Sequence, residues 1–257
     1  MGILDKFSLN GKSALVTGAS RGIGRAIAEA LAEAGAEVVI TARNINALNE
    51  TLRRIAWAGG KGYAIDGDLL KEEDIKRIVN FALEKMGKID ILVNAAGAIH
   101  RERAEDHPLE KWDEILNLNL RSTFIITQLV VRSMIERKIQ GSIINIASLM
   151  SFAAGINICA YAASKGGVAQ LTKELANEWG KYGIRVNAIA PGYIETDLTA
   201  ALRKDPERNE KILSRIALGR WGKPEDLKGI AVFLASEASS YATGSIFVID
   251  GGWLWNV

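Results

Sequence analysis

Short, unbroken apolar runs alternate along the chain with longer stretches that carry a helical pattern. Seven of the short runs read as strands: Ser13–Thr17, Glu37–Thr41, Gly62–Asp66, Asp90–Asn94, Ser142–Ile146, Ile184–Ile189 and Ser245–Ile249. Their apolar positions are consecutive rather than alternating, as expected of strands covered on both faces. Helical stretches such as Ile23–Glu33 and Glu72–Lys85 lie between them. Strand, helix and strand in repetition imply an α/β fold: one parallel sheet of about seven strands, right-handed crossovers and helices on both faces. No linker rich in Pro, Gly or Ser breaks the pattern, and no repeat of about 20–50 residues is visible. Residues 1–257 are therefore expected to form one domain.

Composition narrows the classes of function. Hydrophobic residues make up 48% and charged residues 24%, ordinary values for a globular chain with a large core. With 32 basic and 30 acidic residues the net charge is only +2, so there is no basic field suited to nucleic acid. The sole cysteine, Cys159, excludes an intrachain disulfide and fits a reducing, cytoplasmic setting. Cys159 itself reads as a small buried residue. Met1–Phe7 lacks the apolar stretch of a signal peptide, and Lys6 stands where a myristoylation signal would want Ser or Thr. No apolar run reaches about 18 residues, so no membrane span is expected. The expected partner is a small molecule, with no metal, nucleic acid or membrane.

A glycine-rich loop, Thr17-Gly18-Ala19-Ser20-Arg21-Gly22-Ile23-Gly24, joins the first strand to the first helix. Glycine lets the backbone turn sharply and approach a pyrophosphate, and the helix start offers free N–H groups to it. The spacing is Gly-x-x-x-Gly-x-Gly. In this strand-to-helix context it favours a dinucleotide over an ordinary tight turn. The second strand should end at the adenosine ribose, where an acid would select NAD. The segment here is Thr41-Ala42-Arg43-Asn44. Arg43 and Arg21 can clamp a 2′-phosphate, which favours NADP(H) with NAD(H) possible; the other reading is that Arg43 caps a solvent-facing turn. Asp68, followed by Leu69, can accept from the adenine amino group. Asn94, Ala95 and Gly97 bring small residues to the end of the fourth strand, beside the cofactor path.

Ser148 ends the fifth strand, and Tyr161 and Lys165 lie one turn apart on a helix from about Tyr161 to Trp179. A lysine ammonium near a phenol favours phenolate. Tyr161 can then exchange a proton with an alcohol or ketone, while Ser148 holds the substrate oxygen. A Tyr-x-x-x-Lys pair is common by chance; its weight comes from the serine and the glycine loop that precede it.

With these motifs in place, the chain resembles the short-chain dehydrogenase/reductase family over nearly its whole length. The resemblance implies a Rossmann-like, doubly wound, single-domain fold and hydride exchange between a nicotinamide cofactor and an alcohol or ketone. It adds Asn119 to Ser148, Tyr161 and Lys165 as a catalytic tetrad, with Asn119 holding a water linked to Lys165. Read from the residues alone, Asn119 is a helix-interior polar residue with no assigned role. The resemblance also assigns Pro191, Gly192, Ile194 and Thr196 to the nicotinamide side of the cofactor. It makes a substrate lid of residues 195–215, and implies a homotetramer in which the Trp253-Leu254-Trp255 ending is buried between subunits. Asn94-Ala95-Ala96-Gly97 departs from the family's commoner Asn-Asn-Ala-Gly, at the loss of one side-chain amide.

Segments beyond the tetrad, including Ala98–Glu102, Ala190–Ile194 and Gly219–Gly222, are similar to a sugar-acid subgroup of that family. A sugar acid needs a cation for its carboxylate. Arg101 is the candidate, with Ser148, Tyr161 and Tyr193 as the other substrate residues and His100 and Arg103 as weaker ones. The competing reading of Arg101–Asp106 is a self-neutralising solvated loop. Two alternatives stay open: a 3-oxoacyl carrier-protein reductase, and a nucleotide-binding regulator without chemistry.

Overall fold

The computed structural model describes residues 2–256. The strands are β1 (Ser13–Thr17), β2 (Glu37–Ala42), β3 (Lys61–Asp66), β4 (Ile91–Asn94), β5 (Ser142–Ile146), β6 (Arg185–Pro191) and β7 (Ile246–Ile249). The helices are α1 (Gly22–Glu33), α2 (Ile45–Trp57), α3 (Glu72–Met86), α4 (Leu109–Leu116), α5 (Ser122–Glu136), α6 (Cys159–Trp179), α7 (Ala200–Lys204), α8 (Pro206–Leu213) and α9 (Lys228–Ala235). All seven expected strands are present, displaced by a residue or two at their ends.

They form one sheet in the order β3-β2-β1-β4-β5-β6-β7, and every pairing is parallel. This is the Rossmann-like, doubly wound arrangement. Successive residues of a strand face opposite layers, and both layers are apolar. In β1, Ala14 and Val16 pack with Ile27 and Leu31 of α1 and Leu234 of α9. Leu15 packs on the other side with Ile75 and Ile78 of α3 and Ile126 and Val130 of α5. Each such Leu or Ile removed from water contributes about 1.5–3 kcal/mol. Two-sided burial is why the strand sequences run apolar without alternation.

The strand order reverses between β1 and β4. Chains leaving those two strands diverge to opposite sides, which opens a crevice at their C-terminal ends. Three local features shape it. Gly18 has φ +66°, and a Cβ there would stand 2.7 Å from the Ala96 backbone, so β1 and β4 leave the sheet with no room for a side chain between them. A π-helical turn, Asn117–Arg121, joins α4 to α5 and turns Asn119 toward the β4 loop. After β6, the segment 195–215 runs over the crevice as a 3-10 turn (Asp197–Thr199), α7 and α8. Pro206 is the first residue of α8, and Asp205 caps it by accepting from the Arg208 N–H.

The carboxyl-terminal segment differs from expectation. Trp253 is 6% exposed and packs within its own chain, against Tyr193 at 5.2 Å between ring centroids and under the Arg215 guanidinium at 3.9 Å. Leu254 is half-buried on the same cluster. Trp255 alone is left outside, 76% exposed. An aromatic and cationic pocket in the same subunit already covers Trp253, so its apolarity does not require a neighbour.

Candidate active site

The crevice at the β1/β4 switch is a cavity of about 930 Å³, and it gathers residues from nearly every loop at that edge of the sheet. At one end lie Gly18, Ser20, Arg21, Gly22, Ile23 and Gly24 of the β1–α1 loop, with Arg43, Asp68 and Leu69 beyond them. No side chain caps the start of α1, so its first N–H groups remain available at the cavity wall. A Cβ on Gly22 would press the Thr196 methyl at 3.4 Å, so bare backbone lines the space between loop and overlying segment. The donor set suits a pyrophosphate, and the wall opposite is backbone of Ala95, Ala96 and Gly97.

Arg43 lines this end with no carboxylate partner among the described residues, whereas Arg21 does not stand with it. The Arg21 guanidinium is held by Asp197, at 2.7 Å, on the segment above. The expected two-arginine clamp is thus one free arginine and one already paired. The reason is tertiary: Asp197 is far away in sequence and is brought over the loop by the turn after β6. Asp68 accepts from the Leu70 N–H at 3.1 Å and fixes the loop after β3.

The centre of the cavity carries Ser148, Tyr161 and Lys165. Ser148 sits where β5 ends; its hydroxyl accepts from the Met150 N–H at 3.2 Å and lies close enough to Tyr161 to lower the phenol pKa. Lys165 is buried, and its ammonium donates to the Ile146 carbonyl at 2.6 Å. Burial holds the Lys165 pKa down to about 8. Burial raises that of Tyr161, opposed by the neighbouring Ser148 hydroxyl and then by the Arg101 charge. The expectation that Lys165 draws Tyr161 down is therefore corrected. The ammonium lies 5.9 Å from the phenol ring centroid and is aimed at a backbone carbonyl. Ser148 and Arg101 are the groups that act on the phenol, and desolvation outweighs both.

Asn119 and Asn94 do not line the cavity. Asn119 is 1% exposed; its amide donates to the Ala98 carbonyl and to Ser164 Oγ and accepts from the Ala98 N–H, all at 2.9 Å. With donor and acceptor both engaged by protein, the side chain positions the loop that leads to Arg101. Gly97 lies between it and Lys165, where a Cβ would be 3.3 Å from Asn119 Oδ1 and 3.6 Å from the Lys165 ammonium. Asn94 is also internal, donating to Thr127 at 2.8 Å and to Asn145 at 2.9 Å, which ties β4 to β5 and α5. Asn94 was expected beside the cofactor path and is internal instead; Asn119 is the helix-interior polar residue read from the sequence. The Asn119 amide is engaged through both its oxygen and its nitrogen, whereas Asn94 Oδ1 has no hydrogen-bond partner among the described residues.

Beyond the centre lie Pro191, Gly192, Tyr193, Ile194 and Thr196 from the end of β6, facing Arg101 across the opening. Sequence reasoning missed two other charged residues of the cavity, Arg208 of α8 here and Glu114 of α4, which feels the Arg43 charge. Pro206 marks the start of a helix, but nothing in the local pattern says that its third residue turns inward.

A buried serine and a half-buried tyrosine beside a buried lysine, under a dinucleotide-sized cleft with bare α1 N–H groups, define a nicotinamide-dependent oxidoreductase site. A family model described as enoyl-(acyl carrier protein) reductase matches residues 18–254. The chain belongs to the short-chain dehydrogenase/reductase family. It is 54% identical over 255 residues to 2-dehydro-3-deoxy-D-gluconate 5-dehydrogenase of Bacillus subtilis (strain 168), covering 99% of each. It is 41% identical over 248 residues to gluconate 5-dehydrogenase of Gluconobacter oxydans (strain 621H), covering 96% of each. Among solved structures it is similar to a gluconate 5-dehydrogenase from Burkholderia cenocepacia J2315 in complex with NADP and tartrate, at 39% identity and a TM-score of 0.95 over 100% of both chains.

Proposed function

We propose that the protein is an NADP(H)-dependent dehydrogenase of a sugar acid, acting on a secondary alcohol or ketone as in 2-dehydro-3-deoxy-D-gluconate 5-dehydrogenase or gluconate 5-dehydrogenase. The observation that carries this is the convergence of Ser148, Tyr161 and Lys165 at the centre of one cavity, with an arginine at each end that has no ion pair among the described residues. Bound NADP(H) would supply or take up the hydride. The Gly18–Gly24 loop and the start of α1 would hold its pyrophosphate, Arg43 its 2′-phosphate, and Pro191, Gly192, Ile194 and Thr196 its nicotinamide end. A relative of this fold crystallised with NADP and a small hydroxy acid supports both halves of the reading.

The chain's own groups account for the proton. Tyr161 keeps its proton at neutral pH, because burial raises its pKa. Its hydroxyl is therefore the donor to a ketone oxygen in reduction, leaving a phenolate; in the reverse direction Tyr161 must first lose its proton, and the phenolate then receives the alcohol proton. Ser148 holds that oxygen beside the Tyr161 phenol and so aligns donor and acceptor. The Lys165 ammonium holds the Ile146 carbonyl at the end of β5, one residue before Ala147-Ser148, and adds positive charge beneath the site. Arg101, at the mouth, is the cation for the carboxylate.

The same reading takes residues 1–257 as one domain with residues 195–215 as its lid, a cytoplasmic setting, and a homotetramer. No helix among the described residues is long and apolar enough to cross a membrane. An open groove of apolar side chains from α4, the π turn, α5 and α6, including Leu116, Leu120, Phe124 and Leu171, supports assembly, as does Trp255. A monomeric mass by light scattering at micromolar concentration would overturn the tetramer.

The deciding experiment for the function is a panel of sugar acids and uncharged ketones and polyols, each with NADP(H) and NAD(H), followed by absorbance of the reduced nicotinamide. Turnover of a 5-oxo or 5-hydroxy sugar acid with the highest kcat/KM in NADP(H) is expected. Turnover of neutral substrates alone would sink the sugar-acid assignment.

A further inference from the structure

Charges around the cavity sort into paired and unpaired groups. Three of its carboxylates are neutralised by neighbours: Glu114 by Lys111 at 2.6 Å, Asp197 by Arg21 at 2.7 Å and Glu195 by Arg203 at 4.0 Å. Arg43, Arg101 and Arg208 also line the cavity, and none of them has an ion-pair partner or a side-chain hydrogen bond among the described residues. Arg43 is at the cofactor end. Arg101, on the loop after β4, and Arg208, on α8, are at the other. Two guanidinium groups of like charge facing one space, neither of them ion-paired among the described residues, favour an anion between them.

We propose that Arg208 is a specificity-determining residue that joins Arg101 in binding the substrate carboxylate, the lid delivering one guanidinium and the β4 loop the other. This rests on the sugar-acid reading of the site and extends it to a residue on a different element.

The order along the cavity follows from the surrounding phenols. The Arg101 charge acts on both Tyr161 and Tyr193, and the Arg208 charge acts on Tyr193. Arg101 is thus the nearer of the two to the proton-transfer group and Arg208 the more distant. The carboxylate then lies at the end of the substrate remote from the reacting carbon, as it does when a sugar acid is oxidised or reduced near its far end. The two arginines also repel one another across that space. Burial is the main cause that lowers the Arg101 pKa, and the Arg208 charge lowers it further. An anion between them relieves that repulsion. Because Arg208 rides on α8, the anion also ties the lid segment to the cleft, so a neutral substrate analogue loses the tie as well as the charge.

The test uses the full-length protein in complex with NADPH, in which D-gluconate binds without turning over. Binding of D-gluconate and of neutral D-sorbitol is titrated by calorimetry for wild type, Arg208→Gln, Arg208→Lys and Arg101→Gln; NADPH affinity and thermal midpoint check folding. A lost charge-assisted hydrogen bond corresponds to about tenfold to a hundredfold in affinity. Arg208→Gln is expected to weaken gluconate by that factor, with sorbitol moving by less than about twofold, Arg208→Lys falling between, and the cost appearing in KM rather than kcat for the oxidised-cofactor reaction. Gluconate affinity in Arg208→Gln equal to wild type, while Arg101→Gln is weakened, overturns the inference and leaves the sugar-acid function standing. Equal losses for gluconate and sorbitol also overturn it, since they mark a structural role. Failure of the wild type to bind or turn over any sugar acid removes both.

Discussion

The centre and the rim of the cleft are built on different principles. Ser148, Tyr161 and Lys165 stand at the end of β5 and on the long helix α6, and burial sets the proton affinities of Tyr161 and Lys165. Arg21, Arg43, Arg101 and Arg208 stand on loops and on α8, where what matters is whether a carboxylate from another part of the chain has already claimed them. Among the described residues Arg21 has such a partner and the other three do not. The centre should therefore be intolerant of loss of any one polar atom. The rim should respond in graded fashion, according to which ligand charge each cation meets.

The sharpest test of the centre is Tyr161→Phe, which removes one oxygen and keeps the ring. Turnover should fall by about 10²–10⁴, the usual worth of a positioned general acid or base, while NADPH binding followed by fluorescence stays near wild type. A loss under tenfold would show that another group transfers the proton.

At the rim, Arg43→Asp should reverse the cofactor preference from NADP(H) to NAD(H). A carboxylate there repels the 2′-phosphate and can accept from the ribose hydroxyls. The ratio of kcat/KM for the two cofactors is the measurement, with a change of about a hundredfold expected from exchanging an attractive for a repulsive charge. A ratio unmoved by the substitution would return Arg43 to the role of a surface turn residue.

A pH profile separates the two groups of the centre. The Lys165 pKa is lowered to about 8, so its ammonium is present below that value and lost above it. Tyr161, displaced upward, keeps its proton through the same range. Ketone reduction should hold below pH 8 and decline by up to about tenfold per pH unit above it, in step with the charge on Lys165. A flat profile to pH 10 would mean that the ammonium is dispensable.

The smallest effect is expected at the pair that distinguishes Arg21 from the other arginines. Asp197→Asn frees the guanidinium at a solvent-exposed position, where an ion pair is worth little. NADP affinity should change by less than about threefold, in the tightening direction. A change of tenfold or more would make the Arg21–Asp197 contact a latch between cofactor loop and lid, and would blur the distinction between centre and rim drawn above.

Local pattern carried the sheet a long way. Strand periodicity reports two-sided burial wherever it occurs, so all seven strands, the parallel class and the strand-to-helix glycine loop were legible from residues close together in the chain. So were Ser148, Tyr161 and Lys165, because a strand end and one helical turn are local geometry. What was not legible depends on contacts between distant segments. Whether Asn119 and Asn94 face the cavity was decided by Ala98, Ser164, Thr127 and Asn145, which take up their amides. Whether Trp253 needs a neighbouring subunit was decided by Tyr193 and Arg215 of the same chain.

By itself, then, the amino-acid sequence determined the fold class, the cofactor-sized loop and the identity of the proton-transfer group, since each rests on interactions within a turn or a strand. Only the tertiary structure decided the direction of the Tyr161 pKa shift, the pairing of Arg21 and the inward turn of Arg208. Desolvation and ion pairing are properties of the space around a group. That space is assembled here from β4, β5, α6 and the segment after β6, which the chain order keeps far apart.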